Sequence, residues 1–279
     1  MTGYFASTEL AARIEHEEAQ LILAGAEAAR RLHPETAVLT IPLAGGVAAW
    51  AGANSPLNKV AGLGFGGTPR TEEMAALEFA LAQRATPVRV ELSSLGDPEL
   101  TAFFSGRGYR FVGFENVLGL PLTDREPSTL PGAVQVAESA EAEFDAWLDA
   151  VVTGFANPDT QGVASNDDFP RAVLEQVMGD LATAAGFSRY LARRGGEIAG
   201  GASLRIGGGI AQLCGAATLP AHRRHGVQTA LLQTRLDLAR AAGCDLAVVT
   251  TQPGSKSQQN VQRQGFHLLY TRAILVREG

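Results

Sequence analysis

The sequence predicts a mixed α/β fold made of two similar domains in tandem, and three observations predict it. Runs rich in branched residues alternate with segments whose apolar residues recur at helical spacing. A polar stretch with two prolines, Leu122–Gly132, has no apolar period and reads as a linker. The first half, moved forward by 157 positions, falls into register with the second without a gap. The division expected is therefore 1–122 for one domain, 123–133 for the linker and 134–279 for the other.

Taken in chain order, a long helix and two strands precede Gly62–Gly67 in the first half. Met74–Ala85 then carries apolar residues at helical spacing and lies over Leu231–Ala242 in the second half. Pro87–Leu92 lies over Cys244–Val249, and both read as short strands. Arg107-Gly108-Tyr109 lies over Gln264-Gly265-Phe266, where a helix ends at glycine and an aromatic-led strand follows. In the second half, helices are predicted over Glu141–Ala156 and Phe169–Ala185, the latter capped by Asp167 or Asp168. Strands follow at Tyr190–Arg194, Gly200–Ile206 and Ile210–Thr218, parted by the glycine turns Gly195-Gly196 and Gly207-Gly208-Gly209. Helix Gln228–Ala242, strand Leu246–Thr251, a short helix at Ser257–Gln264 and strand Leu268–Val276 complete a mixed sheet with a central βαβ crossover.

Composition excludes several classes. The 279 residues are 46% hydrophobic and 19% charged, and no apolar segment is long enough to span a membrane. Met1–Glu9 has no basic region followed by an apolar run, so no secretory signal is expected. Cys214 and Cys244 sit in apolar runs and are expected to stay reduced, which fits a cytoplasmic setting. The five histidines lack zinc-site spacing. A net charge of -6 argues against non-specific binding to nucleic acid or anionic membranes.

One loop carries chemistry. After strand Ile210–Thr218 comes Leu219-Pro-Ala-His-Arg-Arg-His-Gly-Val-Gln-Thr229, and the turn opens a long helix. Free N–H groups and the positive end of the helix dipole point into such a turn. Gly226 lets the backbone approach an anion closely, and Arg223 and Arg224 supply charge for phosphate oxygens. On these grounds the loop is either a pyrophosphate cradle or an ordinary basic helix cap.

The run Ala217–Leu232 resembles motif A of the GNAT superfamily of N-acetyltransferases, Arg/Gln-x-x-Gly-x-Gly/Ala after a strand and opening a helix. Arg223 and Gly226 match it, while Gln228 stands where the family has Gly or Ala. The resemblance continues through Gly243-Cys244, strand Leu246–Thr251 and Ser255–Phe266, which is similar to the family's Asn…Gly-Phe segment. It covers roughly the last 145 residues and implies a tandem of two GNAT-like acyl-CoA N-acyltransferase domains. It implies acetyl-CoA, or another acyl-CoA, as cofactor. The implied binding residues are Arg223, Arg224, His225, Gly226, Val227, Gln228 and Thr229 for the pyrophosphate. Ala217, Thr218 and Leu219 would pair with the pantetheine amides as an added strand, and Asn260 would contact the pantetheine arm. The implied partner is a primary amine of a small molecule or peptide.

In the first half, Gly66-Gly67 lies under Arg223-Arg224 and Pro69 under Gly226, so this copy reads as having lost its cofactor loop. Its Gly62-Leu-Gly-Phe-Gly-Gly67 satisfies G-x-G-x-x-G, with Glu91 near the spacing of a ribose contact, which opens a dinucleotide reading. Thr68-Pro69-Arg70 before the helix counts against that reading. The family's acid tyrosine position is Val261, and strand Ile210–Thr218 holds no carboxylate. Tyr270, Tyr190 and Glu115 remain as catalytic candidates. Transfer to an amine, acyl-CoA sensing without turnover, and dinucleotide binding are the three functional expectations.

Overall fold

The computed structural model describes residues 5–123, 125–126, 132–158, 163 and 169–278. Most of the linker and the proposed caps Asp167 and Asp168 lie outside the described residues. The chain divides into two compact units, 1–118 with 250–279, and 119–249.

The first unit opens with α1, Thr8–Leu32, capped by Ser7 Oγ on the Leu10 N–H at 3.2 Å. A hairpin follows, β1 Leu39–Leu43 with β2 Gly46–Trp50, paired antiparallel. Then come β3 Lys59–Leu63, α2 Thr71–Ala82, β4 Val88–Ser93, α3 Glu99–Gly106 and β5 Arg110–Pro121. Its core gathers Leu43, Val60, Leu63, Met74, Leu77, Val90 and Phe104 between the sheet and the helices.

The second unit holds β6 Gln135–Glu138, α4 Phe144–Ala156, α5 Arg171–Ala182, β7 Phe187–Arg194 and β8 Glu197–Gly207. After them come β9 Ile210–Thr218, α6 Val227–Ala241 and β10 Leu246–Thr251. Strands β6 to β9 run as an antiparallel meander, and β10 returns parallel to β9 across α6, in the order β10-β9-β8-β7-β6. Trp147 on α4 is fully buried against Ala150, Val151 and Leu191. Among the described residues no helix is long and apolar enough to cross a membrane.

The chain ends with α7 Lys256–Arg263 and β11 His267–Arg277. The offset of 157 holds to the residue here: α3 maps onto α7, and both β4 and β5 map onto their counterparts with boundaries within a residue or two. The observed units nevertheless differ from the division at the linker. Residues 250–279 pack with the first unit, because β11 pairs antiparallel with β4 from Arg272↔Ser93 to Arg277↔Val88. Backbone pairing with a distant strand leaves no local trace in sequence, so covalent order alone assigns these residues to the second domain. Strand order in the first unit is β1-β2-β3-β4-β11-β5.

Candidate cofactor site in the second unit

Strand β9 departs from its neighbour. Its parallel pairing with β10 covers Ile210↔Leu246, Ala211↔Ala247 and Gln212↔Val248, yet β9 continues to Thr218. Beyond Gln212 the β10-facing edge of β9 is open, and alternate backbone groups along it are free to pair with an extended ligand. On its other edge β9 pairs with β8, but the register slips between Gly201↔Ala217 and Ser203↔Cys214. Gly215 and Ala216 therefore stand opposite Ala202 alone, a β-bulge, with Gly215 at φ +50°. The Ala202 carbonyl accepts the Trp147 indole N–H at 3.2 Å.

Small residues set the end of the strand. A Cβ on Gly200 would lie 2.4 Å from the Ala217 carbonyl oxygen, and one on Gly154 would lie 2.4 Å from the Ala217 Cβ. Sheet and helix thus close on Ala217 from two sides, and Thr218 Oγ1 is left buried without a hydrogen-bond partner.

After Thr218 the chain makes a short 3-10 turn over Pro220–His222, then reverses through Arg224 at φ +64° and Gly226 at φ +80°. Gly226 is the N-cap of α6, and no side chain caps the helix. The Ala230 N–H already bonds the Gly226 carbonyl at 2.9 Å. Among the described residues, none accepts a hydrogen bond from the N–H groups of Arg224, His225, Gly226, Val227, Gln228 or Thr229. Left-handed residues interleaved with right-handed ones turn successive N–H groups into one concavity, and the α6 dipole adds partial positive charge there.

The side chains of this loop divide in two. Arg224, His225 and Thr229 are exposed, while Val227 is buried against Gly200. The Arg223 guanidinium donates to the Asn157 carbonyl at the end of α4, so it braces the loop where sequence reasoning gave it to phosphate. Asn260 lies half-buried on α7 in the first unit. Among the described residues no cluster of His, Cys, Asp and Glu could hold a metal ion.

Sequence reasoning missed Arg235. It is 1% exposed, and its Nη1 donates to the carbonyls of Ser203 at 2.8 Å and Cys214 at 3.2 Å, the pair flanking the bulge. The available signal is a charge on the apolar stripe of α6, four residues after Leu231 and one before Leu236.

The three catalytic candidates fall in two places. Tyr190, on β7, is buried, and desolvation raises its hydroxyl above the usual phenol range. Tyr270 is 5% exposed and donates to Glu15 Oε1 at 2.8 Å, and burial followed by the Glu15 charge pushes it far up. Glu115 joins Tyr270 in a buried ionic cluster of the first unit. Arg272 Nη1 lies 2.9 Å from Glu115 Oε2, and Arg272 Nε lies 2.8 Å from Glu15 Oε1. Lys59 Nζ lies 3.0 Å from Glu91 Oε1, with Glu18 at 3.9 Å. Arg89 Nε lies 3.7 Å from Glu91 Oε1, so four carboxylates face three cations. Desolvation and the Glu91 charge push Glu115 up to about 7, with its side chain 24% exposed. Of the three candidates, Glu115 alone titrates in the range useful to a proton acceptor.

Three glycines of Gly62–Gly67 pack closely, while Gly67, at φ +87°, has open space where a Cβ would stand. Gly62 faces Ala19 and the Glu15 carbonyl on α1, Gly64 faces Gly96, and Gly66 faces Ala44 and Gly45 of the β1–β2 turn. Close backbone contact explains these three without a nucleotide.

An open strand edge running into a nest of free N–H groups is the feature that comparison with known proteins can test. Residues 155–266 match the model of the acetyltransferase (GNAT) family. This segment is a GNAT acetyltransferase domain. Among curated proteins no sequence match is found. A GCN5-related N-acetyltransferase from Kribbella flavida is similar in fold at a TM-score of 0.66 and 19% identity, over 94% of this chain and 95% of that one. A second, from Sphaerobacter thermophilus, gives 0.57 and 16%, over 86% and 75%. A tandem GNAT protein from the clavulanic acid biosynthesis pathway gives 0.55 and 14%, over 74% and 69%. The GNAT fold therefore extends over nearly the whole chain, in tandem form, and the matched domain contains the entire loop from Ala217 to Thr229.

Proposed function

We propose that the second unit binds acetyl-CoA, or another acyl-CoA, and that the protein transfers the acyl group to a primary amine of a small molecule or peptide. The observation that carries this reading is the run of six unpaired N–H groups from Arg224 to Thr229 at the start of α6. A pyrophosphate is the group that fits it, being anionic, rich in acceptors and tolerant of a main-chain cradle. Arg224 adds exposed positive charge beside it. The open edge of β9 at Ala217–Leu219 suits the amides of a pantetheine arm.

The reaction asked of the site is compact. The amine lone pair attacks the thioester carbonyl carbon, the carbonyl oxygen gains charge, and the carbon–sulfur bond breaks. The amine proton passes to a base and the thiolate takes up a proton, leaving an amide and CoA-SH. Strand-edge N–H groups around the Gly215–Ala216 bulge are suited to the developing oxyanion. Thiolates leave readily, so the absence of a tyrosine at Val261 is no obstacle.

The test is calorimetric titration of acetyl-CoA into the unaltered chain and Gly226→Pro, with NAD as control and an unfolding curve for each protein. Proline cannot adopt φ +80° and removes one N–H, so binding should weaken by about 1–3 kcal/mol, roughly 5- to 150-fold. Equal affinity in a folded Gly226→Pro protein, or NAD binding in place of acetyl-CoA, would refute the assignment.

A further inference from the structure

The β9 bulge is held from beneath by a charge. A guanidinium buried to 1% exposure normally answers a carboxylate, yet among the described residues Arg235 has no acidic partner. It bonds carbonyl oxygens only: Leu231 on its own helix at 3.0 Å, and Ser203 and Cys214. Ser203 and Cys214 form the last regular rung of the β8–β9 ladder before Gly215 and Ala216 swell out. Burial draws its pKa down to about 10, so the group still carries its charge at neutral pH.

Such an arrangement is poor economy for stability alone. An apolar side chain of similar volume in place of a buried ion is often neutral or stabilising. The first copy shows that the scaffold does without the cation. The offset of 157 puts Glu78 under Arg235, and Glu78 turns to Arg107 at 2.7 Å and to Arg277. That copy also lacks the open nest of N–H groups, so the cradle and a cation at this position of the helix occur together and are absent together.

We propose that Arg235 is a positioning residue for acyl transfer: by pinning the Ser203 and Cys214 carbonyls it fixes the bulge so that the β9 edge N–H groups at Gly215–Ala217 polarise the thioester carbonyl. This rests on the acyl-CoA reading of the site. Arg235 acts through the strand and touches neither the acyl group nor the pyrophosphate. Its loss therefore affects the carbonyl and spares cofactor affinity.

The test uses acetyl-CoA labelled with carbon-13 at the thioester carbonyl, bound to the full chain, to Arg235→Met and to Arg235→Lys. Calorimetry gives affinity, thermal unfolding gives stability, and infrared difference spectra give the carbonyl band. In the unaltered chain the band should move to lower frequency on binding. Arg235→Met should stay folded and bind acetyl-CoA within about threefold of the unaltered chain, with its band near the free-cofactor position. With any amine the unaltered chain accepts, its kcat should fall roughly 10- to 100-fold at nearly unchanged KM for acetyl-CoA. Arg235→Lys, which can hold one carbonyl, should give an intermediate band and decides the matter if the methionine variant fails to fold. A band in either folded variant identical to that of the unaltered chain overturns the proposal while leaving the cofactor reading intact. Failure of the unaltered chain to bind acetyl-CoA overturns both.

Discussion

The two copies start the same helix at the same offset and put opposite things at its N-terminus. In the second copy, α6 begins at a bare Gly226 with no acidic residue in its first turn. In the first, α2 begins after Pro69 with Glu72 and Glu73 in its first turn. Glu73 accepts the Arg70 N–H at 3.0 Å and pairs with the Arg70 guanidinium at 2.7 Å. A carboxylate of the chain itself thus occupies the place where a bound anion would sit, and the proline beside it has no N–H to offer. The shared strands and helices are demanded by packing and survive in both copies. Ligand capacity rests on who satisfies a few first-turn donors, so it can be lost without disturbing the fold.

The interiors differ in charge, and there the largest effect is expected. The first unit buries Glu15, Glu18, Glu91 and Glu115 around Lys59 and Arg272, whereas the second buries Arg235 among carbonyls. Glu115 is pushed up to about 7 from an ordinary 4.5. Between those values the folded chain holds a proton that the unfolded chain has released, so stability falls as pH rises through that window. Glu115→Gln cannot lose that proton. Its stability should decline less from pH 5 to pH 8, leaving it ahead of the unaltered chain by on the order of 2 kcal/mol relative to their difference at pH 5. Urea unfolding across that range reads the effect, and parallel pH curves for the two proteins would contradict it.

The next effect converts one helix start into the other. Thr229 stands at the third position of α6, as Glu73 does on α2, and is exposed. Thr229→Glu places a carboxylate where it can reach the Gly226 N–H and repel phosphate. Acetyl-CoA binding should weaken about tenfold, near 1.4 kcal/mol, while the helix gains a few tenths of a kcal/mol from its new cap. Unchanged affinity in the calorimeter would mean that the first-turn donors are not what separates the copies.

How much of this was legible in the sequence follows from the range of each signal. Strand β9, the turn and α6 show locally, as a branched run, then Arg-Arg-x-Gly, then helical period, and their boundaries agree with the structure within a residue. The repeat is equally plain because Gly108 and Gly265 end matching helices at positive φ. Strand β6 is short and largely exposed, so it lacks the alternation that marks a strand. The pairing of β11 with β4 is a contact between distant segments, and no window of sequence contains both. Arg235, Glu15 and Glu91 are charges on otherwise apolar faces; Arg235 finds its partners on β8 and β9, and Glu15 and Glu91 theirs only when strands from both ends of the chain meet. The bulge had one local sign, Gly215 inside a strand, which the reading of β9 as a regular strand passed over.

The smallest effect asks whether the first copy can be reopened by removing its own cap. Glu73→Gln keeps a side chain able to accept the Arg70 N–H but loses the charge and the pairing with the Arg70 guanidinium. Both groups are exposed or nearly so, and solvent screens the pair, so the fold should barely register the change. Binding should not appear, because Pro69 still lacks a donor and Glu72 still stands in the first turn. Titration of acetyl-CoA should therefore give one equivalent per chain before and after the change. A second equivalent in Glu73→Gln would show that a single carboxylate closes the first copy. The proline would then be incidental, and a site lost through several changes would become one held shut by a charge.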